Sequence, residues 1–515
     1  MRDDSISTTP LAASHLNVND LFIDQVSICG AQVAVRAAEG DWTYADLHEL
    51  VNRLCALLQA RGVQRGDRVA LLSENRREYV LTLLAAARLG AIAACLNWRQ
   101  SPDELDHCIQ LVQPRLALVS PRYVPQIPLF RAIERDNIFT FGDAFDALLQ
   151  TQSAAEHAGD AHPEDGLHIL YTSGTTGKPK AALISHRALI ARGAVGAMDR
   201  GYRRGSTFVA WAPMFHMVSA DNVLVTLING GQVNVVDGFQ LDALCNAVEQ
   251  EQNLGWLVLM PGMIDKVVEA LTQRGIRPQP MDAVGCMADL IPRHQLAEVT
   301  RLFNAPYRNT FGSTETGPAP GGGGLVGVGV VPESLGKRQS SLCRVRLVDV
   351  EGRDVAPGEP GELLLRSPTL FSGYWGMPEA TAEAFEDGWF HSGDVFVREA
   401  DGALRFVDRR KYLIKSGGEN IYPAEIEQLL LASPRIIDAA VVRQQDAKWG
   451  EVPVAFVIAA DADLTPDEVI ALCHGKIANY KLPKAVHFIL DTDMPRSTTG
   501  KVMRNVLEAQ LKEQA

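Results

Sequence analysis

Residues 171–180 read YTSGTTGKPK, a run of hydroxyl side chains, glycines and lysines. Glycines permit the tight turns that direct backbone N–H groups at an anion, and the hydroxyls add further donors. A P-loop has the spacing GxxxxGK[ST], whereas here two residues separate Gly174 from Gly177, and Pro179 follows Lys178. The stretch therefore predicts a phosphate-binding loop that is not a P-loop.

Helical and extended patterns alternate on the N-terminal side of this stretch. The apolar spacing predicts helices over 46–59 and 76–89 and strands over 68–72 and 91–97, and Gly90 is placed to end the second helix. The same rhythm returns around the stretch, with an apolar strand at 168–171 and a helix from about Ser185. This β-α-β order favours mainly parallel sheets with helices packed on their faces, the α/β class.

Composition limits the classes of protein that fit. A chain of 515 residues exceeds what one hydrophobic core usually supports, so two or more domains are expected. The net charge of −13 argues against a nucleic-acid binder, because phosphate backbones select for clustered Lys and Arg. Eight cysteines without a CxxC pair indicate a reducing compartment, and the N-terminus lacks a secretory signal. The most apolar stretch, 89–98, is too short to cross a bilayer, so we expect a cytoplasmic protein without a transmembrane segment.

The pattern changes near residue 405. A charged run is followed by a Gly-Gly pair, by Pro423 at a helix start, and by strand candidates over 437–443, 452–459 and 486–490. Thr465 and Glu468 fit a capping box. We therefore predict an N-terminal domain over 1–408 and a small α+β domain over 409–515. The run Gly321 to Gly324 is expected to be a flexible loop.

The stretch YTSGTTGKPK resembles the signature of the adenylate-forming (AMP-binding) superfamily, which includes acyl-CoA synthetases, firefly luciferase and peptide-synthetase adenylation domains. The resemblance implies a large N-terminal domain and a small mobile C-terminal domain. It also implies that the loop binds ATP through Thr172, Ser173, Gly174, Thr175, Thr176, Gly177 and Lys178.

Three further motifs follow in the superfamily's order. FGSTE at 311–315 implies Phe311 against the adenine, Thr314 near the phosphates, Glu315 as a Mg²⁺ ligand and Gly312 as a further residue of the ATP site. A carboxylate beside a triphosphate suits a hard cation that prefers oxygen ligands. HSGD at 391–394 resembles the motif whose aspartate holds the ribose hydroxyls, here Asp394, and the pair at 408–409 resembles the motif that follows it. This second resemblance implies Arg409 as a further ribose or phosphate contact and Lys411 as the hinge.

The segment PRSTTGKVMR at 495–504 resembles the last superfamily motif. Its lysine, Lys501, is implied to bridge the carboxylate and the α-phosphate during adenylation. A flexible point charge suits a negative charge that develops only in the transition state. With His216, Thr314 and Glu315, Lys501 completes the set of implied catalytic residues.

SGGENIYPAEIE at 416–427 resembles the form found in bacterial acyl- and aryl-CoA ligases, which implies that Gly417 and Gly418 flank the pantetheine tunnel. The chain ends shortly after the lysine motif, so no carrier-protein domain is expected and free CoA is the expected acceptor. WAPMFHMVSAD at 211–221 implies His216 near the acyl carboxylate or the tunnel mouth. GCMAD at 285–289 replaces a GGAP-like turn of many relatives, which leaves the roles of its residues open.

We therefore expect an AMP-forming acid–CoA ligase that uses a small carboxylic acid, ATP, Mg²⁺ and CoA. Met and aromatic residues suit an apolar acid. A medium- or long-chain fatty acid is the first expectation, and an aryl or alicyclic acid is the alternative. Transfer of the acyl group to a different acceptor, its oxidation as in luciferases, and an inactive nucleotide-binding homologue also stay open. The oligomeric state is open as well, with a homodimer as one candidate.

Overall fold

The computed structural model describes residues 15–157, 159, 161–172, 178–260, 262–496 and 502–514. The chain forms two compact units. The first unit contains residues up to 344 together with 366–388, and the second contains 345–365 together with 389 onward.

The α-helices, numbered in chain order, have the following bounds: α1 Val18–Cys29, α2 Tyr44–Ala60, α3 Arg77–Leu89, α4 Pro102–Val112, α5 Asp143–Gln150, α6 His186–Arg200, α7 Met217–Ile228, α8 Leu241–Gln250, α9 Ile264–Arg274, α10 Arg293–Phe303, α11 Pro378–Ala384, α12 Pro423–Leu431, α13 Pro466–Ala471 and α14 Arg504–Gln514.

The strands of the N-terminal part are β1 Val33–Arg36, β2 Trp42–Thr43, β3 Arg68–Leu72, β4 Ile92–Cys95, β5 Leu116–Val119, β6 Ile138–Thr140, β7 Gly166–Thr172, β8 Lys180–Ser185, β9 Phe208–Ala210, β10 Val233–Val235, β11 Leu254–Leu257, β12 Met281–Val284, β13 Tyr307–Ser313 and β14 Gly317–Val326. The remaining strands are β15 Arg344–Val348, β16 Pro360–Arg366, β17 Phe385–Glu386, β18 Trp389–Arg398, β19 Leu404–Arg409, β20 Ile414–Ser416, β21 Glu419–Ile421, β22 Ile436–Asp446, β23 Gly450–Ala459 and β24 Ala485–Phe488.

Three sheets form the first unit, and most of their strand pairs are parallel. The largest has the order β6-β5-β3-β4-β7-β8, in which the β7–β8 pair is antiparallel and the other described pairs are parallel. The second has the order β2-β1-β10-β9 and the third β11-β12-β13-β14. The predicted α/β class with mainly parallel sheets is confirmed.

Local signals explain the ends of the predicted helices. Thr43 and Asp46 form a reciprocal capping box at the start of α2. Gly90 ends α3 in a left-handed conformation with φ 63°, which glycine adopts without steric cost. Strand β3 has the predicted bounds, and α3 differs from its prediction by one residue at its start.

The core of the first unit lies between these helices and sheets. Helix α3 is buried on almost every face, from Glu78 to Leu89, and the strands beside it are buried nearly throughout. Buried parallel strands carry continuous apolar runs because helices cover both faces of the sheet. In sheets of this kind, ligands bind at the carboxyl ends of the strands, in the loops that follow them. We therefore expect the site at that edge of the sheets.

The second unit contains two antiparallel systems. Strands β16, β18 and β19 pair antiparallel, and β22 and β23 form a long ladder flanked by β20 and by the parallel strand β24. Thr465 and Glu468 form the predicted capping box of α13. The packing of the β16–β18–β19 sheet assigns residues 345–365 and 389–408 to this unit. A boundary at 408 with a hinge at Lys411 concerns movement rather than packing, and it stays a prediction.

The expectation of a flexible loop at Gly321 to Gly324 is wrong. These residues lie within β14 and pair antiparallel with β13. A Cβ atom on Gly321 would lie 3.0 Å from Lys337 Cδ and 3.1 Å from Phe311 Cβ. The glycines therefore allow a close approach of side chains to a strand, which is a use of glycine that composition does not distinguish from a loop.

Candidate active site

Strands β7 and β8 form the hairpin that carries the signature stretch. Thr172 at the end of β7 pairs with Lys180 at the start of β8, and Lys178 is exposed just before β8. The implied phosphate contacts Ser173, Gly174, Thr175, Thr176 and Gly177 lie outside the described residues. The described ends of the hairpin show that the implied ATP loop connects two neighbouring antiparallel strands.

The FGSTE motif forms the turn between β13 and β14. Phe311 pairs with Gly321, and Ser313 pairs with Gly317 across this turn. A Cβ atom on Gly312 would lie 2.0 Å from the carbonyl oxygen of Gly317, so only glycine fits at that position. The turn is therefore tightly built, and it presents Thr314 and Glu315 at its tip.

Donors from distant parts of the chain fix the backbone of this turn. Three successive carbonyl oxygens accept hydrogen bonds: Thr314 O from Arg192 Nη2 at 2.9 Å, Glu315 O from Phe371 N at 2.8 Å and Thr316 O from Thr369 Oγ1 at 2.8 Å. Preorganised groups of this kind cost no rearrangement when a ligand binds. The turn is thus a rigid support for the Glu315 carboxylate.

The Glu315 side chain is half-buried and is oriented by Tyr374. The Tyr374 hydroxyl donates to Glu315 Oε1 at 3.0 Å, and Lys180 Nζ lies 4.7 Å from the centre of the Tyr374 ring. Burial raises the pKa of the Tyr374 phenol, and the negative charge of Glu315 raises it further, so the phenol remains a donor. Tyr374 therefore links the implied metal ligand to the strand that follows the signature loop.

The donor set at Glu315 fits a magnesium ion that arrives with ATP. Mg²⁺ is commonly held by one or two carboxylates together with substrate phosphates, rather than by an all-protein cage. Across the part of the chain that the structure describes, no group of three or more His, Cys, Asp or Glu side chains forms such a cage. Tyr374 engages one oxygen of the Glu315 carboxylate, which leaves the second oxygen as the expected ligand.

A buried ion pair supports the turn from behind. Arg192 is 3% exposed and Asp221 is 5% exposed, and Arg192 Nη1 donates to Asp221 Oδ2 at 2.7 Å. His168 Nε2 lies 3.3 Å from the other Asp221 oxygen. Burial alone would raise the pKa of Asp221, but Arg192 and His168 outweigh it and lower the pKa. The carboxylate therefore stays ionised and holds the guanidinium that binds the Thr314 carbonyl.

His216, which is implied to lie near the acyl carboxylate, and the GCMAD turn, whose role the sequence leaves open, stand on separate elements. His216 caps the start of α7, and its ring centre lies 4.5 Å from that of Phe215. Gly285 has φ 76°, and a Cβ atom there would lie 2.0 Å from the Tyr307 ring. Cys286 Sγ lies 3.4 Å from Met260 Sδ. The turn thus combines a backbone conformation that requires glycine at position 285 with a partly buried contact between two sulfur atoms.

Asp289, which stands where many relatives have proline, binds a buried lysine. Lys337 is 0% exposed, and its Nζ donates to Asp289 Oδ2 at 2.5 Å. A buried ammonium is costly without a partner. The departure from the superfamily's pattern at Asp289 therefore has a local reason, the neutralisation of Lys337.

In the second unit, the implied ribose contacts lie opposite each other. Asp394 on β18 pairs with Arg409 on β19, and Arg409 Nε lies 3.2 Å from Asp394 Oδ1. Asp394 is 4% exposed, whereas the Arg409 side chain is 42% exposed. The pairing of β18 with β19 brings the two predicted residues, Asp394 and Arg409, together in one sheet.

Asp408 lies next to this pair in the chain. Burial raises the pKa of its carboxyl, although its oxygens accept hydrogen bonds from the backbone N–H groups of Ala424 and Arg409.

Gly417 and Gly418 form the turn between β20 and β21. Their φ angles are 60° and 89°, so the turn itself requires glycine. A Cβ atom on Gly417 would also lie 2.8 Å from the Trp449 ring, whereas Gly418 faces open space. Backbone conformation accounts for both glycines, and their role beside pantetheine stays a prediction.

Lys411, the predicted hinge residue, lies in a short 3₁₀ turn, Arg410–Tyr412. Its carbonyl oxygen accepts a hydrogen bond from Arg443, and the Arg504 guanidinium lies 4.5 Å from the centre of the Tyr412 ring. Lys501 lies outside the described residues.

Comparison with known proteins agrees with this arrangement. Residues 24–375 match the family model described as AMP-binding enzyme, and residues 425–501 match the AMP-binding enzyme C-terminal domain. The chain belongs to the AMP-binding enzyme family.

Similar proteins of this family span nearly the whole chain. The indoleacetate–CoA ligase of Aromatoleum aromaticum is 36% identical and covers 92% of this chain and 94% of its own length. A feruloyl-CoA synthase of an Amycolatopsis species is 34% identical with the same two coverages. ATP-bound MatB from Rhodopseudomonas palustris is 26% identical with a TM-score of 0.83, over 97% of this chain and 100% of its own.

The AMP-binding enzyme described here is an acid–thiol ligase that uses ATP, Mg²⁺ and coenzyme A, as the sequence predicts. Its adenylate-forming fold is confirmed as well. Among the described helices, none has both the length and the hydropathy needed to cross a bilayer.

Several residues that shape the site carry no signal in the sequence that would single them out. They are Arg192, Asp221, Thr369, Phe371 and Tyr374. Asp221 closes the WAPMFHMVSAD segment, but its partner lies 29 residues away on another helix. Tyr374 stands 59 residues from Glu315, and no spacing rule connects the two.

Proposed function

We propose that this enzyme activates an aryl carboxylic acid, in which a ring carries its carboxyl group directly or on a short side chain, and transfers it to CoA. The named relatives support an aryl acid over the fatty acid that the sequence by itself favours. The indoleacetate–CoA ligase and the feruloyl-CoA synthase act, by their names, on acids with an aromatic ring.

The named relatives carry the proposal, and the sulfur-containing side chains near the GCMAD turn agree with it. Cys286 Sγ and Met260 Sδ lie 3.4 Å apart, and Met287 follows with a half-buried side chain. Methionine sulfur makes favourable contacts with aromatic rings. The half-buried Met287 side chain is therefore compatible with an aromatic acyl group.

The first step forms an acyl-adenylate. A carboxylate oxygen of the acid attacks the α-phosphorus of ATP, the bond to the bridging oxygen breaks, and pyrophosphate leaves. Magnesium supplies charge neutralisation at the phosphates when it is bound. Glu315 is expected to hold it, with the carboxylate oriented by Tyr374 and the backbone fixed by Arg192.

The second step forms the thioester. The CoA sulfur attacks the acyl carbonyl carbon, and AMP leaves with the former carboxyl oxygen. Lys501 is proposed to stabilise the charge that builds up in the first step, and rotation about Lys411 is proposed to present the second unit for the second step.

Pyrophosphate release in the presence of CoA, measured over an acid panel, tests the substrate class. The panel contains indole-3-acetate, hydroxycinnamates, benzoates, alicyclic acids and saturated fatty acids of short, medium and long chain. We expect kcat/KM for the best aryl acid to exceed that for the best fatty acid by about 10²-fold, since several pocket contacts differ. A fatty acid with the highest kcat/KM would overturn the aryl proposal.

Substitution at the hinge tests the second step. Lys411→Pro should spare pyrophosphate release and impair thioester formation, because proline restricts the backbone at the point of rotation. Normal CoA transfer in this variant would count against rotation about Lys411.

A further inference from the structure

Asn75 lies at the junction of two sheets of the first unit. It follows β3 of the six-stranded sheet, and its side chain reaches the ends of β9 and β10 in the neighbouring sheet. The residue is 6% exposed. Its side chain is therefore enclosed by the backbone of distant segments.

Every polar atom of the Asn75 amide is used. Four carbonyl oxygens surround Nδ2: Ala210 at 3.0 Å, Trp211 at 3.2 Å, Ala212 at 2.8 Å and Val236 at 3.0 Å. Oδ1 accepts from the backbone N–H of Met214 at 2.8 Å. Because an amide nitrogen carries two hydrogens, each of them is shared between carbonyls.

Four of these five partners belong to one segment, 210–214, which leads directly to His216. The hydroxyl of Ser219 donates to Ala212 O at 2.6 Å, and His216 N donates to Pro213 O at 3.0 Å. Trp211 Nε1 donates to Val258 O at 2.8 Å, near Met260 in the chain. The Asn75 amide is thus the common anchor of the chain that places His216.

We propose that Asn75 is a positioning residue for acid binding, acting through the segment that carries His216. The inference depends on the proposed function in one respect, the assignment of His216 to acid binding. After β9 ends, backbone groups of Trp211, Ala212 and Met214 hydrogen-bond to the buried Asn75 amide instead of to a neighbouring strand.

Asn253 offers a matched control at the opposite end of β9. Its side-chain Nδ2 donates to Gly205 O at 2.6 Å, and its backbone carbonyl oxygen accepts from Thr207 N at 2.7 Å. Both asparagines therefore tie backbone next to the same strand, but of the two only Asn75 contacts the segment before His216.

The test compares Asn75→Ala and Asn253→Ala with the full-length enzyme in two measurements. In steady-state kinetics, Asn75→Ala should raise KM for the best acid about tenfold, because the backbone before His216 loses its buried hydrogen bonds to this side chain. KM for ATP should change by less than about twofold. Asn253→Ala should leave both KM values within about twofold of the wild type. If a variant merely reduces the amount of folded enzyme, the apparent kcat falls and KM does not change.

Hydrogen–deuterium exchange tests the same inference without any activity. Asn75→Ala should increase exchange in peptides that cover 211–216, whereas Asn253→Ala should increase it around 203–207. Equal exchange at 211–216 in both variants, or an unchanged KM for the acid, would overturn the inference. If wild-type protein forms no thioester with any acid, the proposed function fails, and the exchange comparison still decides whether Asn75 positions the segment.

Discussion

Each unit of the protein contains an ion pair between an arginine and a carboxylate, buried in the first unit and partly buried in the second, next to residues predicted to act in catalysis. In the first unit Arg192 binds Asp221 at 2.7 Å, and in the second Arg504 Nη2 lies 2.7 Å from both oxygens of Glu427. The remaining N–H groups differ. Arg192 donates to two backbone carbonyls, at Thr314 and Thr369. Arg504 lies over the Tyr412 ring, and its Nε has no partner among the described residues.

The difference shows how the two pairs serve their sites. Arg192 connects α6 and α7 to the turn of Glu315, so it fixes backbone at the implied metal ligand. Arg504, three residues after Lys501, joins α14 to α12 through side chains. Burial alone would lower the pKa of Arg504, but Glu427 outweighs it and raises the pKa. Burial raises the pKa of the Glu427 carboxyl, although Arg504 opposes this shift. Arg192, in contrast, binds the backbone of the turn that carries Glu315.

Loss of the first arginine should have the largest effect on stability. Arg192→Met leaves Asp221 buried without its main partner and leaves two carbonyls without a donor, so it should cost about 3–5 kcal/mol of unfolding free energy. Arg504→Met should cost less, because Glu427 keeps the backbone donor Val441 N at 2.7 Å. Urea unfolding of the two variants measures the order, and an equal or greater loss in Arg504→Met would contradict the comparison.

Substitution of Lys501 should have the next largest effect, on the rate of the reaction rather than on the stability of the protein. Lys501→Ala should slow pyrophosphate release by about 10²-fold or more, on the scale of losing one transition-state donor. Thioester formation from supplied acyl-AMP should survive, since the lysine is proposed to act in the first step only. Parallel assays of the two half-reactions check this division, and equal losses in both would refute it.

Acid should weaken the first unit before the second. Val18 N donates to His186 Nδ1 at 3.1 Å, and burial, with a smaller effect of His168, lowers the pKa of His186 from 6.5 to about 4, despite the opposing charge of Asp165. The unfolded chain therefore takes up a proton below pH 6.5 while the folded chain does not until about pH 4. Stability is full above the unfolded pKa and is lost as the pH falls through this window, by about 2 kcal/mol at about pH 5.

The variant His186→Asn keeps an acceptor near Val18 N and removes the titration. Its unfolding free energy should vary less between about pH 6.5 and about pH 5 than that of the wild type, in urea titrations at matched ionic strength. Among the described residues of the second unit no histidine is buried, so exchange in mild acid should rise first in the first unit. An identical pH dependence in variant and wild type would rule out His186 as the cause.

The smallest expected effect is at Tyr374. Tyr374→Phe removes the hydroxyl that orients Glu315, so the Mg²⁺ concentration for half-maximal adenylation should rise about tenfold, the usual cost of losing a support for a metal ligand. Tyr44→Phe is the control, because its hydroxyl donates to Gly231 O at 2.7 Å in the core of the same unit. A similar Mg²⁺ dependence in both variants would show that Tyr374 does not act through Glu315.

Much of the local structure could be predicted because its causes are local. The capping box of Thr465, the left-handed end of α3 at Gly90 and the bounds of β3 follow from neighbouring residues and side-chain period. Prediction from the local pattern failed for glycine, which occurs both in flexible loops and in strands that side chains approach closely. The glycine run at 321–324 predicts a loop by its composition, but it forms a strand because Lys337 and Phe311 pack against it.

Among the site residues, those within motifs were predicted and those that support them were not. Glu315 and Asp394 stand in short strings whose order the superfamily shares. Arg192, Thr369 and Tyr374 lie 122, 53 and 59 residues from their partners in the turn. No single segment shows these contacts, because they exist only after separate elements have packed.

The sequence by itself determined the class of chemistry, through the identity and order of the motifs that bind a nucleotide. It also determined the α/β class, because apolar residues alternate between helical and extended spacing along the chain. The tertiary structure alone decided which side chains hold those groups still. A hydrogen bond from Asn75 or Arg192 to a remote carbonyl depends on distances of about 3 Å between segments that are distant in the chain. Such distances are set by the packing of helices on sheets, and a linear pattern does not contain them.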